Sequence, residues 1–121
     1  MRLEHVNLTV SDLDRSIASY CDLLDFHVRW KGAIDVDRLG AHVGNDEVYL
    51  ALFQATGPGD VEHDYLKPGV NHFGFVVDDL EAKRARLGEL GGSVHLEADY
   101  EPGHRIYFFD PDGHEVELVE Y

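Results

Sequence analysis

Hydrophobic and polar residues alternate along the stretch from His5 to Val10, and a matching stretch runs from His72 to Val77, where Phe73, Phe75 and Val77 take the apolar positions. Alternation with a period of two residues is the pattern of a half-buried β-strand. An Asp-Leu pair follows each stretch, at Asp12-Leu13 and at Asp79-Leu80, and from there the apolar residues take helical spacing. Because the second stretch repeats the first at an offset of 67 residues, the sequence predicts one structural unit that occurs twice.

Both helices have recognisable ends. Ser11 is the predicted cap of the first helix, since Asp14 follows three positions later in the manner of a capping box. The second helix is predicted to start near Asp78 or Asp79 and to end at the Gly91-Gly92 pair. The residues predicted to face the core are Leu13, Ile17, Tyr20 and Leu24 in the first helix, and Leu80, Leu87 and Leu90 in the second.

Three strand-like runs follow each helix. They are predicted at residues 26–30, 33–39 and 47–54 in the first half, and at 93–96, 105–109 and 115–121 in the second half. The predicted fold is therefore α+β, with two tandem βαβββ modules that span about residues 1–54 and 72–121 of a single domain. The intervening residues, about 55–71, are rich in glycine, proline and charge and form the predicted linker.

The alternation also predicts where the polar side chains of the strands point. Val6, Leu8 and Val10 face the first helix, so His5 points to the opposite side of its sheet. The repeat places His72 equivalently in the second module, and a carboxylate of the last strand, Glu115 or Glu117, shares its side. Two histidines and one carboxylate suit a divalent metal ion with open positions, namely Fe, Mn, Ni, Zn or Co.

The amino-acid composition limits the classes of partner that the protein is expected to bind. The chain has 121 residues, with 24 acidic and 10 basic side chains, which argues against nucleic acid and anionic membranes as partners. No apolar run is long enough to span a membrane, and Cys21 is the single cysteine, so an internal disulfide is impossible. These features predict a cytoplasmic protein.

The motifs resemble a known family. The stretch from His5 to Val10, the helix that begins at Asp12-Leu13, and the ending Asp110-Pro111-Asp112-Gly113-x-x-x-Glu117-Leu118 resemble the vicinal oxygen chelate superfamily. This superfamily includes glyoxalase I, fosfomycin-resistance proteins, extradiol dioxygenases and bleomycin-resistance proteins. The resemblance implies an open, curved sheet around a metal cleft, in which the metal takes two neighbouring oxygens of a small substrate. It also implies that the metal ligands are His5, His72 and Glu117.

The ligand set distinguishes the reactions known in this superfamily. Glyoxalase I fills a fourth ligand position with glutamate, whereas alignment of the last strands of the two modules places Ala51 there, or Leu50 after a slip of one residue. The three remaining ligands resemble those of fosfomycin-modifying thiol transferases and of extradiol dioxygenases. A histidine expected in the dioxygenases near residues 98–100 is absent. The leading expectation is therefore a thiol transferase or an extradiol-type dioxygenase. The alternatives are a glyoxalase I-type lyase and a metal-free, bleomycin-resistance-like binding protein.

Other residues are candidates for contacts around this metal. His104 follows a Pro-Gly pair and precedes a strand that carries Tyr107, and these two residues are the predicted acid–base groups. The predicted contacts to a small-molecule substrate are Asn7, Tyr49 and Arg105. The resemblance to small two-module proteins implies a homodimer.

Overall fold

The computed structural model describes all 121 residues, which divide into two compact units, Met1–Gly59 and Asp60–Tyr121. Each unit has the element order β-α-β-β-β that the repeat predicts. Unit 1 contains β1 (His5–Val10), α1 (Leu13–Leu24), β2 (His27–Ala33), β3 (Leu39–Gly44) and β4 (Tyr49–Gln54). Unit 2 contains β5 (Phe73–Val76), α2 (Leu80–Glu89), β6 (Leu96–Tyr100), β7 (Gly103–Phe109) and β8 (Glu115–Glu120).

The two sheets have the same topology. Strand order is β1-β4-β3-β2 in unit 1 and β5-β8-β7-β6 in unit 2. The first strand of each unit pairs in parallel with the last, and the other pairs are antiparallel. Both sheets are mixed and open, with a helix packed against the inner strands. The α+β fold built from two βαβββ units is therefore confirmed.

Each core lies between the helix and the apolar side of its sheet. The side chains that are fully or almost fully buried in unit 1 include Val10, Tyr20, Val43, Leu50 and Leu52. Those of unit 2 include Leu80, Ile106, Phe108, Val116 and Leu118. Because strand side chains alternate between the two sides of a sheet, this burial fixes the direction of the polar residues between them.

Strand register identifies equivalent positions in the two units. Asn7 pairs with Ala51 across the parallel strands of unit 1, and Gly74 pairs with Glu117 in unit 2. Since Asn7 and Gly74 are 67 residues apart, as His5 and His72 are, Ala51 occupies the position of Glu117. The alignment that places Ala51 at the fourth ligand position thus agrees with the register of both sheets.

The helix boundaries differ slightly from the sequence prediction. Asp12, not Ser11, caps α1, because its carboxylate accepts a hydrogen bond from the backbone N–H of Arg15 at 3.1 Å. Asp79 caps α2 in the same way, with Ala82 as the donor at 2.9 Å. Gly91 follows α2 at φ 86°, as expected for a glycine that ends a helix.

The buried faces of the two helices also differ in part from the sequence prediction. Leu13 and Tyr20 are buried as predicted, but Ser16 and Leu23 complete the buried face of α1 in place of Ile17 and Leu24. In α2, Leu80 and Leu87 are buried, as predicted. Leu90 is the C-terminal cap and is 40% exposed, so its predicted core position is wrong.

Two predicted strands are misplaced in sequence. The strand predicted at 33–39 is a turn, because the Asp35 carboxylate accepts hydrogen bonds from Asp37 N and Arg38 N and holds the chain in a bend. The strand predicted at 93–96 begins at Leu96 and continues to Tyr100. Neither helix has the length and apolar character needed to cross a membrane.

Candidate metal centre

Glu117 projects from β8 on the side of the unit 2 sheet opposite the core. Its neighbours along the strand, Val116 and Leu118, are fully buried, so alternation directs Glu117 to the other side. Gly74 lies beside it on β5, and a Cβ atom added at Gly74 would come within 3.3 Å of the Glu117 Cβ. Glycine at this position therefore keeps the space beside the carboxylate open.

His72 meets Glu117 on this side of the sheet. The distance from His72 Nε2 to Glu117 Oε2 is 3.0 Å, and the side chains are 32% and 15% exposed. Two donors at about 2.1 Å from one ion and at a right angle to each other are roughly 3.0 Å apart. The pair therefore has the donor types and the spacing of two adjacent ligands of one divalent metal ion.

Arg105 and Tyr107 border the same pair. Arg105 Nε lies 2.7 Å from Glu117 Oε1, an ion-pair contact in which the N–H bond is not directed at the oxygen. The ring of Tyr107 contacts that of His72 edge-on, with 5.4 Å between the ring centroids. Burial is the main cause that raises the pKa of Tyr107, and the negative charge of Glu117 adds to it, so this phenol keeps its proton at neutral pH.

Glu115 forms a buried network next to His72. Its carboxylate is 4% exposed and accepts a hydrogen bond from the hydroxyl of Tyr65. Glu115 Oε2 lies 2.7 Å from His95 Nε2, and Oε1 lies 3.5 Å from His72 Nδ1. The hydrogen bond between Tyr65 and Glu115 is the main cause that raises the pKa of Tyr65 to about 12. Strand alternation places Glu115 on the side of Glu117, but its partners His95 and Tyr65 gave no signal in the sequence.

In unit 1, the predicted ligand His5 belongs to a stacked aromatic cluster. Its ring stacks on Tyr49 with a centroid distance of 4.9 Å, and Tyr49 stacks in turn on His42 at 4.5 Å. Glu4 Oε1 lies 3.0 Å from His5 Nδ1 and accepts a hydrogen bond from the Tyr49 hydroxyl at 3.2 Å. The Arg29 guanidinium lies over the Tyr49 ring, 4.6 Å from its centroid.

Hydrogen bonding within this cluster affects the groups predicted to contact substrate. Tyr49 is 9% exposed and donates its hydroxyl to Glu4, so the structure places it as a support for His5. The hydrogen bond from His5 is the main cause that lowers the pKa of Glu4. Burial is the main cause that lowers the pKa of His42, and electrostatic interactions with His5 and Arg29 add to it. Asn7 donates its side-chain N–H to the Ala51 carbonyl at 2.8 Å.

His104 lies apart from the ligand pair of unit 2. Strand alternation in β7 puts Arg105 and Tyr107 on the side of Glu117, and His104 on the opposite side with the buried Ile106. His104 Nε2 contacts Glu97 Oε1 at 2.6 Å, and Arg84 of α2 contacts the same oxygen. The structure therefore does not bring His104 together with His72, Glu117 and Tyr107.

The predicted ligands are distributed over both units. Unit 2 supplies His72 and Glu117, and unit 1 supplies His5. Neither unit by itself gathers three His, Cys, Asp or Glu side chains in an arrangement that could hold a metal ion. Two of the three metal ligands predicted from the sequence therefore lie in one unit, and the third lies in the other.

Comparison with known proteins identifies the family. A profile of the glyoxalase/bleomycin resistance protein/dioxygenase superfamily matches residues 2–118. Glutathione transferase FosA of Serratia marcescens is 31% identical, with 96% of this chain and 78% of FosA covered. Lactoylglutathione lyase of Salmonella typhimurium is 34% identical, with 99% and 93% covered.

A solved structure supports the same assignment. The fosfomycin resistance protein FosX of Mesorhizobium loti superposes with a TM-score of 0.76 at 25% identity, covering 98% of this chain and 90% of FosX. A mutant of FosX from Listeria monocytogenes, which has the same fold at 22% identity, has been solved with Mn(II) bound. On the matched residues and the shared fold, this chain belongs to the glyoxalase/bleomycin resistance protein/dioxygenase superfamily.

Proposed function

We propose that this protein is a divalent-metal enzyme that acts on a small substrate with two adjacent oxygens. The observation that carries the proposal is the 3.0 Å approach of His72 Nε2 to Glu117 Oε2 on the side of the sheet that the helix leaves uncovered. His5, of the same chain or of a second copy, is the proposed third ligand. When bound, the metal would act as a Lewis acid toward the substrate oxygens.

The proposed reaction class is transfer of a thiol to the substrate. Support comes from FosA, a glutathione transferase, and from the ligand set. A lyase with a fourth carboxylate ligand is less well supported, because Ala51 occupies the position equivalent to Glu117 and its methyl group can neither bind metal nor carry a proton. In the proposed reaction the thiol loses its proton, its sulfur bonds to carbon, the bond from that carbon to oxygen breaks, and the freed oxygen takes up a proton, so that one proton passes overall from sulfur to oxygen.

Tyr107 and Arg105 have complementary roles in this proposal. Tyr107 carries its phenolic proton at neutral pH, as its raised pKa ensures with a wider margin than for an ordinary tyrosine, so it can donate a hydrogen bond or a proton to an oxygen that gains negative charge. Arg105 offsets the charge of Glu117 through their ion-pair contact at 2.7 Å. Asn7 retains its side-chain oxygen as an acceptor for substrate, since its amide donates to Ala51.

Turnover assays with three substrate classes test the proposal. Metal-loaded protein is incubated with glutathione and an epoxide that carries a neighbouring oxyanion, with the hemithioacetal of methylglyoxal, and with a catechol. Metal-dependent consumption of the thiol and epoxide supports the proposed transferase. Glu117→Gln should abolish it, whereas His104→Ala, which alters a histidine on the opposite side of the sheet, should leave it within about twofold of wild type.

Two results would redirect the proposal. Metal-dependent turnover of the hemithioacetal or of the catechol, without thiol transfer, would assign a lyase or a dioxygenase. Tight binding of a small molecule by chelator-treated protein that shows no turnover would assign the metal-free binding function.

We also propose that the protein is a homodimer, as its resemblance to small two-module proteins implies. Light scattering of the metal-loaded protein should give about twice the chain mass of 13.7 kDa. A monomeric mass at micromolar concentration with metal bound would contradict this part of the proposal.

A further inference from the structure

The residue that precedes each predicted histidine ligand presents a side-chain oxygen to that histidine. Glu4 Oε1 lies 3.0 Å from His5 Nδ1, and Asn71 Oδ1 lies 2.7 Å from His72 Nδ1. Glu4 and Asn71 are themselves 67 residues apart, so they occupy equivalent positions of the internal repeat. The same contact therefore occurs independently in both units, although the residue types differ.

The acceptors determine which ring nitrogen carries the proton. A carboxylate has no hydrogen to donate, so the contact with Glu4 requires an N–H group at Nδ1 of His5. At His72, Nδ1 faces the oxygen of Asn71 and also Glu115 Oε1 at 3.5 Å. Since Glu115 is another acceptor, the amide of Asn71 is oriented with its oxygen toward the ring, and Nδ1 of His72 carries a proton as well.

A histidine whose Nδ1 carries a proton has Nε2 available as the metal-binding atom. We infer that Glu4 and Asn71 are positioning residues that fix both histidines for coordination through Nε2. This inference rests on the proposed metal function and adds the ligating atom and its support. In unit 2 Nε2 of His72 also faces a carboxylate oxygen, Glu117 Oε2 at 3.0 Å, so a metal ion bound at this nitrogen would replace the proton of that hydrogen bond.

Each contact has a second element that holds it in place. The Tyr49 hydroxyl donates to the same Glu4 oxygen at 3.2 Å, and its ring stacks on His5 at an interplanar angle of 16°. The buried Glu115, anchored by His95 and Tyr65, lies behind His72 in the strand position that corresponds to Tyr49. The two units thus support equivalent histidines with different chemistry, stacking in one and a buried carboxylate in the other.

Paired substitutions separate an acceptor role from a general structural one. Glu4→Gln and Asn71→Asp keep a side-chain oxygen, whereas Glu4→Leu and Asn71→Leu remove it at similar size. Zinc affinity, measured by competition with a chromophoric chelator, should fall by about 10- to 100-fold in each leucine variant, the range typical for loss of an outer-shell hydrogen bond. The oxygen-retaining variants should stay within about threefold of wild type.

Long-range ¹H–¹⁵N spectra of the histidine rings in the zinc-loaded protein give a second readout. Nε2-bound, Nδ1-protonated rings for both His5 and His72 are the expected result. Binding of zinc through Nδ1 of either ring, or unchanged affinity in both leucine variants, would overturn the inference while the metal function stands. Failure of the wild-type protein to bind zinc, manganese or iron would instead overturn the proposed function, and this inference with it.

Discussion

Replacing Glu115 with alanine is expected to destabilise the metal-free protein by about 3 kcal/mol. The Glu115 carboxylate is 4% exposed and is contacted by the Tyr65 hydroxyl and by His95 Nε2 at 2.7 Å. The hydrogen bond from Tyr65 to this charged group contributes roughly 1.5–3 kcal/mol, and the ion-pair contact with His95 adds up to about 1 kcal/mol. The sum is about 3 kcal/mol and no larger, because Tyr65 and the His95 side chain are 52% and 32% exposed and water can partly replace the lost acceptor.

Urea denaturation followed by far-ultraviolet circular dichroism, in the presence of a chelator, measures this loss. A change of about 3 kcal/mol corresponds to a fall in melting temperature of roughly 12 °C for a chain of this size. Glu115→Gln retains one acceptor oxygen and should lose about half as much. The exposed Glu62 provides the matched control, and Glu62→Ala should change the unfolding free energy by less than about 0.5 kcal/mol. A Glu115→Ala protein as stable as this control would refute the reasoning.

Three further predictions test the fold and the site. Gly74→Ala should weaken metal binding roughly tenfold, because the added methyl group crowds Glu117, and unchanged affinity in a chelator competition would contradict this. Asp12→Ala should lower the unfolding free energy by about 1 kcal/mol in urea titrations, whereas an equal loss in Ser11→Ala would contradict the assigned cap. Since the pKa of Tyr65 is raised to about 12 in the folded protein, stability should fall as the pH rises from about 10 to 12. Tyr65→Phe should show a smaller fall, and an equal fall would contradict the assignment.

Much of the fold could be predicted from the sequence, because both units are built on the same repeated sequence pattern. The alternation from His5 and from His72 located the first strand of each unit, and the paired glycines after α2 located its end. Turns were harder to place, because the segment after Ala33 has apolar residues at strand spacing. Its bend depends on the Asp35 carboxylate, whose hydrogen bonds to nearby backbone outweigh that spacing.

In the candidate site, too, the features that depend on nearby residues were predictable and the contacts between distant segments were not. Strand alternation predicted the side of the sheet on which Glu117 lies. The register of β7 against β8, which the structure supplies, is what groups Arg105 and Tyr107 with Glu117 and puts His104 on the opposite side. The support for His72 could not be predicted in this way, because His95 and Tyr65 reach Glu115 from other segments of unit 2. Periodicity assigns faces within a sheet and carries no information about partners from distant segments.

Metal content is the measurement that tests the central claim most directly. Untagged wild-type protein, dialysed after exposure to Mn(II), Fe(II), Zn(II), Ni(II) or Co(II), is analysed by mass spectrometry beside His5→Ala, His72→Ala and Glu117→Ala, with His104→Ala as the histidine control. The account predicts one divalent ion per chain in the wild-type protein and in His104→Ala, and loss of the ion in the other three variants. Wild-type protein without bound metal after all five exposures, or full metal content in His72→Ala and Glu117→Ala, would contradict it.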